Sequence, residues 1–200
     1  MSLLELSTDA GLVALWGLTA NILLGLLLAV RFNPWRHWPH RRINYFRIHN
    51  WTGYVALAIA VLHALLLFLS RDAHFRLLDV LLPLWAPKQP LVNAIGAVSL
   101  YALLLVVVTS YYRPRMNRRL WKRFHYLAYG SAALFYLHGL LSDPSLKDAP
   151  VDWLDAEKVS VEVCLLLVLA AGVWRLRWGR RHASATRAIA LRRAEAVDAR

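Results

Sequence analysis

Long apolar stretches alternate with short charged segments along the 200 residues of this chain. Five of the stretches are long enough to cross a bilayer as a helix, which takes roughly 20 apolar residues. The five predicted spans are residues 10–30, 49–69, 91–112, 124–141 and 158–176. We therefore predict an all-α protein, a polytopic membrane helix bundle of about five transmembrane helices.

The charged segments predict the orientation of these spans. Segments 31–47 and 113–123 carry Arg or Lys and no acidic residue, whereas loop 142–158 is mainly acidic. Because loops rich in Lys and Arg remain in the cytoplasm, the N-terminus is predicted outside and the C-terminus, with its basic tail, in the cytoplasm. Segment 70–90 is short and apolar and contains three prolines, which suits a segment lying at the membrane interface.

Composition excludes several other classes of protein. Hydrophobic residues make up 58% of the chain and charged residues 18%, whereas an ordinary soluble protein has about 25% charged residues. Such a sequence is too apolar for disorder, and with Cys164 as its only cysteine it is not a disulfide scaffold. The net charge of +12 would suggest nucleic-acid binding, but the positive-inside rule already explains where these charges lie.

Four of the eight histidines fall in the predicted spans, and they are the strongest chemical signal. His49 and His63 belong to span two, and His125 and His138 to span four, with spacings H-x13-H and H-x12-H. A single histidine in an apolar helix is more often a packing residue than a ligand. Four histidines in two pairs are harder to explain by packing, because a polar side chain in hydrocarbon is costly without a partner.

The predicted topology suggests what the partner is. Spans two and four run in the same direction, so His49 and His125 share a depth near the cytoplasmic face, and His63 and His138 share an outer depth about 20 Å away. Two facing imidazoles can fill both axial positions of a haem iron. We therefore predict two bis-histidine haem b groups, bound non-covalently because no C-x-x-C-H motif is present. We call His49 and His125 the inner pair and His63 and His138 the outer pair.

Helix geometry leaves two alternatives for span four. At about 100° per residue, His49 and His63 lie on nearly the same helix face, whereas His125 and His138 differ by about 140°. Either span four bends or contains an irregular turn, for which Gly130 is a candidate, or the two haems are approached from different directions.

The paired histidine spacings, on parallel helices separated by one antiparallel span, resemble the ferric reductase-like transmembrane domain superfamily over residues 10–178. This superfamily includes the membrane cores of NADPH oxidases and ferric-chelate reductases, and the haem-binding membrane subunit of the periplasmic methionine sulfoxide reductase system. The resemblance implies a haem b domain at 10–178 followed by a basic cytoplasmic tail at 179–200. It also implies that electrons pass from a cytoplasmic or quinol donor through the inner haem, and then the outer haem, to an acceptor outside.

Three functions remain open on the sequence. The protein could be an oxidoreductase that reduces a small acceptor such as a ferric chelate, oxygen or a quinone. It could instead be a membrane subunit that delivers electrons to a separate periplasmic enzyme, such as a methionine sulfoxide reductase. The third alternative is a haem-free protein whose histidines transport metal ions or protons.

The expected partners follow from what surrounds the predicted domain. Only residues 179–200 come after it, and no G-x-G-x-x-G motif is present. We therefore expect flavin only through a separate cytoplasmic reductase, with a quinol as the alternative donor and a quinone as a further candidate cofactor. A periplasmic acceptor protein is another candidate partner. The expected location is the inner (plasma) membrane of a bacterium, in contact with lipid and without nucleic acid.

Several residues near the histidines are predicted to contact the haems. Arg47 and Arg123 each precede an inner histidine by two residues, at a depth where a guanidinium could pair with a haem propionate. On the outer side the available arginines are Arg71 and Arg76. Gly53 lies one helical turn after the first inner histidine, where a missing side chain would let a porphyrin approach the backbone. The alternatives are positive-inside charge for the arginines and helix packing for the glycine.

Overall fold

The computed structural model describes residues 2–30, 44–71, 73–147, 150 and 152–198, and for residues 181–198 it describes only the main chain. Within this part of the chain the fold is all-helical, without strands. The α-helices are α1 (Leu3–Ala29), α2 (Tyr45–Leu69), α3 (Leu77–Leu81), α4 (Pro90–Tyr111), α5 (Arg118–Leu141) and α6 (Ala156–Asp198). Single turns of 3₁₀-helix lie at Pro83–Trp85, before α4, and at Arg113–Arg115, before α5.

Capping residues decide where the long helices begin. The Oγ of Ser2 accepts from the N–H of Glu5 at 3.1 Å, and the Glu5 carboxylate accepts from the N–H of Ser2 at 2.7 Å. This capping box starts α1 at Leu3, well before the predicted start at residue 10, because it satisfies main-chain donors that the first turn leaves unpaired. Asn44 and Asn117 cap α2 and α5 in a similar way through their side chains.

Among the described residues, four helices are long and apolar enough to cross a membrane: α1, α2, α4 and the Ala156–Arg180 part of α6. They correspond to predicted spans one, two, three and five. Predicted span four forms most of α5, which is comparable in length but less apolar because it contains two histidines and a basic first turn. Exposed leucines and valines cover the outer faces of the bundle, as lipid contact requires. The protein is therefore an integral membrane helix bundle.

The bundle contains two antiparallel helix pairs, α1 with α2 and α4 with α5, and α6 packs against α1 and α5. Helices α4 and α5 approach closely at two serines: Ser99 Oγ donates to the carbonyl of Ser131 at 2.8 Å, and Ser131 Oγ donates to the carbonyl of Ser99 at 2.9 Å. Helices α1 and α5 are joined by the hydroxyl groups of Thr19 and Tyr136, 2.8 Å apart. The buried core contains Ala14, Leu15, Leu18, Ile22, Leu26, Ala60, Leu103, Ala132, Phe135, Tyr136, Val161 and Cys164.

Segment 70–90 contains α3 and the first 3₁₀ turn. Its five leucines between Leu77 and Leu84 are exposed, and Trp85 is 79% exposed. Its inward side chains Ala73, Phe75 and Ala86 form a small cluster with Leu146 of a later loop. An exposed apolar surface on a short helix suits the membrane interface, where we predict this segment to lie.

Helix α6 continues without a break from Ala156 to Asp198. It therefore extends beyond residue 176, where the fifth span was predicted to end, and the predicted domain boundary at 178 falls inside a helix. The part beyond Arg180 prolongs the helix by about 27 Å.

Candidate functional site

The structure brings the four histidines of the spans together in two pairs. The ring centres of His49 and His125 are 6.2 Å apart, and those of His63 and His138 are 6.3 Å apart. The ring planes are inclined to each other by 74° in the inner pair and 69° in the outer pair. Because the first histidine of α2 meets the first of α5 and the second meets the second, these two helices run in the same direction.

Both α5 histidines reach α4 from a regular helix. Helix α5 is α-helical throughout, so the irregular turn considered at Gly130 is wrong. The Nδ1 of His125 is 3.4 Å from Ser110 Oγ, and the Nδ1 of His138 is 2.8 Å from the carbonyl oxygen of Val92. Without an irregular turn, two alternatives stay predictions: a bend in α5, or two sites approached from different directions.

Main-chain carbonyls hold three of the four rings. The Nδ1 of His49 donates to the carbonyl of Asn21 at 3.1 Å, and the Nδ1 of His63 donates to the carbonyl of Ser7 at 2.7 Å. His138 is held in the same way by α4. Since a carbonyl oxygen can only accept, Nδ1 carries the proton in each ring and Nε2 keeps its lone pair. Proteins orient metal-ligating histidines by this kind of contact.

The α1 residues that hold the α2 histidines also bond them through their side chains. Ser7 Oγ donates to the main-chain carbonyl of His63 at 2.9 Å, and Asn21 Nδ2 donates to the main-chain carbonyl of His49. Neither residue stands out from the sequence alone. A signal is nevertheless present, because Ser7 and Asn21 are 14 residues apart, like His49 and His63 on the antiparallel neighbour.

A cavity of about 510 Å³ lies beside the inner pair and is lined by both of its histidines. Arg113 lies over the rings of Phe46 and Trp121, 5.2 and 4.5 Å from their centres. Arg175 donates to the hydroxyl of Tyr129 at 3.1 Å. The cavity thus offers aromatic surfaces to a planar ligand and guanidinium groups to an anion. Its basic lining residues are Arg113, Arg118, Lys122 and Arg175.

The arginines singled out in the sequence lie elsewhere. Arg47 and Arg123 are exposed and are not among the residues that line the inner cavity. Gly53 does line it, and a Cβ added there would lie 3.3 Å from the side-chain nitrogen of Asn21. The cations at the cavity come instead from the turn before α5, from α5 and from α6. Local sequence does not reveal this arrangement, because it depends on how α6 packs against α5.

Two small cavities, of about 70 and about 60 Å³, flank the outer pair. His63, Phe135 and His138 line both of them. Glu157 and Lys158 both line the first cavity and Asp79 lines the second, whereas the two outer arginines of the sequence prediction line neither.

Lys158 is a buried cation beside the outer pair, only 5% exposed. Its ammonium group donates to the carbonyl of Gly139, at 2.9 Å, and to the carbonyl of Ser142. These carbonyls belong to the end of α5, where main-chain acceptors lack partners within the helix. Because His138 lies in the last turn of α5, Lys158 stabilises the segment that carries this histidine. In the sequence it is only one charge of an acidic loop.

The family of the chain follows from comparison with known proteins. The family model described as the ferric reductase like transmembrane component matches residues 10–136, more than half of the chain. The chain belongs to this family. The matched region includes His49, His63 and His125 and ends two residues before His138. Membership indicates an oxidoreductase of the membrane. No curated protein and no solved structure matches the chain significantly.

Proposed function

We propose that this protein is a two-haem cytochrome b that transfers electrons across the bacterial inner membrane. The donor side is the basic, cytoplasmic end of the bundle, and the acceptor side is the opposite end. The observation that carries the proposal is the nearly equal separation of the ring centres in the two pairs, 6.2 and 6.3 Å. His49 and His125 would hold the inner haem, and His63 and His138 the outer haem.

The separation agrees with two imidazoles on opposite sides of one metal ion. A metal–imidazole bond is about 2.0 Å long and the bonded nitrogen lies about 1.15 Å from its ring centre, so two such rings are centred about 6.3 Å apart. Among the residues that the structure describes, no group of three or more His, Cys, Asp or Glu side chains could hold a metal ion. A pair of histidine ligands is sufficient for a haem, because the macrocycle supplies the other four ligands of its iron.

The cavities beside the two histidine pairs differ in volume. The inner cavity, at about 510 Å³, has the size of a cofactor site, for which about 300–1,000 Å³ is usual. The outer cavities are much smaller, so binding a haem there requires side chains to move. Phe135 is the first candidate because it lines both outer cavities.

Cations near both pairs support the binding of an anionic cofactor. Haem propionates are carboxylates, which guanidinium and ammonium groups bind. Arg113 and Arg175 would serve the inner haem, and Lys158 the outer haem. Arg47 and Arg123 stay proposed partners of the inner propionates.

Haem supplies one-electron chemistry when bound, and the chain determines where electrons can go. The two histidines at each level would hold the iron of a haem and leave it no site for a substrate, which would suit outer-sphere transfer. We propose a separate flavin reductase or a quinol as the donor, and either a small molecule or a periplasmic protein as the acceptor.

The test is a reduced-minus-oxidised spectrum with a haem count on the purified full chain. We expect a low-spin b-type spectrum and two haems per chain. His63→Ala should lose the outer haem and His125→Ala the inner one, so the two variants should retain different haems. His74→Asn, at an exposed loop position with φ of 55° that asparagine tolerates, is the control and should retain both. A colourless wild type made with ample haem would exclude the proposal and favour a haem-free transport protein.

A further inference from the structure

Glycines of neighbouring helices lie directly against three of the four histidine rings. A Cβ built at any of these positions would be closer to a ring atom than side chains normally pack. The shortest distances are 3.1 Å for Gly11 to His63, 3.2 Å for Gly25 to His49, and 2.9 Å for Gly96 to His138. A larger residue at any of the three would therefore displace the ring.

Each glycine follows, by four residues, the carbonyl that accepts from the same ring. In a helix the side chain at position i+4 covers the preceding turn, where the carbonyl of residue i lies. Glycine leaves that carbonyl open to a donor from another helix. We call each such combination of carbonyl and glycine a seat. The seats are Ser7 with Gly11, Asn21 with Gly25, and Val92 with Gly96.

The two seats of α1 repeat at the spacing of the α2 histidines. Gly11 and Gly25 are 14 residues apart, as are the histidines that they contact. Gly17 lies between them on α1, but a Cβ there would meet Ala56, at 3.3 Å, and no histidine. Close packing of α1 on α2 is therefore distinct from the contact with the rings.

We propose that the three seats are positioning elements that fix the rotation and the protonated nitrogen of His49, His63 and His138, so that each Nε2 faces its haem. This proposal rests on the proposed function and deepens it. Helix α1, which supplies no ligand, would thereby orient one ligand at each level.

The fourth histidine is held differently. His125 has no seat, since its Nδ1 is 3.4 Å from the side chain of Ser110, a long hydrogen bond. The outer haem would then have two seated ligands and the inner haem one.

The test compares glycine-to-alanine variants of the full haem-loaded chain. The angle between two axial ring planes changes the largest EPR g-value of a low-spin haem, so this value reports rotation of a ring. His63→Ala and His125→Ala assign the signals to the two haems. We expect Gly25→Ala to change the g-value and midpoint potential of the inner haem alone, and Gly11→Ala those of the outer haem alone. Of the three variants, Gly96→Ala should have the largest effect: we expect it to weaken binding of the outer haem about 10- to 100-fold.

Gly17→Ala is the matched control on α1 and should leave both haem signals unchanged. Ser7→Ala removes the contacts of the Ser7 hydroxyl with the carbonyl and the Nδ1 of His63 but keeps the main-chain carbonyl of the seat, so it should shift the outer signal slightly. Suppose the wild type contains two haems, but the EPR spectra and midpoint potentials of Gly25→Ala equal those of Gly17→Ala. The positioning role of the seats is then refuted, while the cytochrome proposal survives. If Gly25→Ala fails to accumulate even as haem-free protein while Gly17→Ala accumulates, the glycine serves packing and the seats are likewise overturned. A wild type without haem would refute the cytochrome proposal itself.

Discussion

At the scale of single residues, polar atoms inside an apolar bundle find main-chain carbonyls as partners. Three histidine rings and the ammonium group of Lys158 each donate to carbonyls of a neighbouring helix or its end. A buried polar group without a partner costs several kcal/mol in such surroundings. The same contacts that stabilise the fold therefore also orient the candidate ligands.

Lys158→Met tests the contribution of the buried cation. The change removes the donor from two carbonyls at the end of α5, and a buried acceptor left unpaired costs about 1–3 kcal/mol. We expect the free energy of unfolding to fall by about that amount and the outer haem to be released before the inner haem on heating. Thermal denaturation followed by haem absorbance measures both effects. Lys147→Met, at an exposed lysine of the preceding loop, is the control; simultaneous release of both haems would contradict the expectation.

At the scale of elements, the α4–α5 pair determines where both α5 histidines lie. One ring bonds to Ser110 near the end of α4, and the other to Val92 near its beginning. Between them Ser99 and Ser131, each fully buried, exchange hydrogen bonds with the opposite main chain. The two helices can approach this closely because their side chains at the contact are small.

Substitutions at Ser131 separate the effect of size from that of the hydrogen bond. Ser131→Ala removes one hydrogen bond and should cost about 1 kcal/mol of stability with both haems kept. Ser131→Leu overpacks the contact, which costs about 1–3 kcal/mol, and moves α5 away from α4, so both haems should be lost together. Haem counting on purified protein distinguishes the two outcomes. Ala133→Leu, on an exposed face of α5, should retain both haems; equal haem content in all three variants would rule out this role of the contact between Ser99 and Ser131.

At the scale of the whole molecule, charge is divided between the two ends of the bundle. The turn before α5 and the first turns of α5 are basic, whereas the loop between α5 and α6 is mainly acidic. The proposed direction of electron transfer depends on this division, because the basic end should face the cytoplasm. The inner cavity and its cations lie at the basic end, on the side of the proposed donor.

Cysteine labelling can measure the orientation. The only natural cysteine, Cys164, is fully buried, so unmodified protein should label weakly. We expect Ser145→Cys, in the acidic loop, to react with a membrane-impermeant thiol reagent in intact cells. Asn117→Cys, at the basic end, should react only after the membrane is permeabilised. The reverse pattern would invert the proposed topology and exchange the donor and acceptor sides.

Much of the fold and part of the candidate site could be predicted from local sequence. Apolar length predicts the long helices, because a helix in lipid must be apolar along its whole span. The spacing of His49, His63, His125 and His138 predicted two pairs about 20 Å apart. The sequence analysis placed the start of the first span at residue 10, although Ser2 and Glu5 form a recognisable capping box that starts α1 at Leu3. It also considered an irregular turn in span four, which the continuous α-helix of α5 does not contain.

The sequence by itself determines which segments enter the membrane and which residue types are available there. Both properties depend only on residues that are close together in the sequence, within one helix. Only the tertiary structure decided that the Asn21 carbonyl accepts from His49 and that Gly25 lies against the same ring. It also decided that Lys158 donates to a carbonyl near the end of α5 and that Arg175 lines the inner cavity. These contacts join different helices, and they depend on the rotation and depth of each helix against its neighbour. The spacing of hydrophobic residues along one helix does not determine its rotation and depth against a neighbouring helix. These contacts can therefore be identified only in the packed structure.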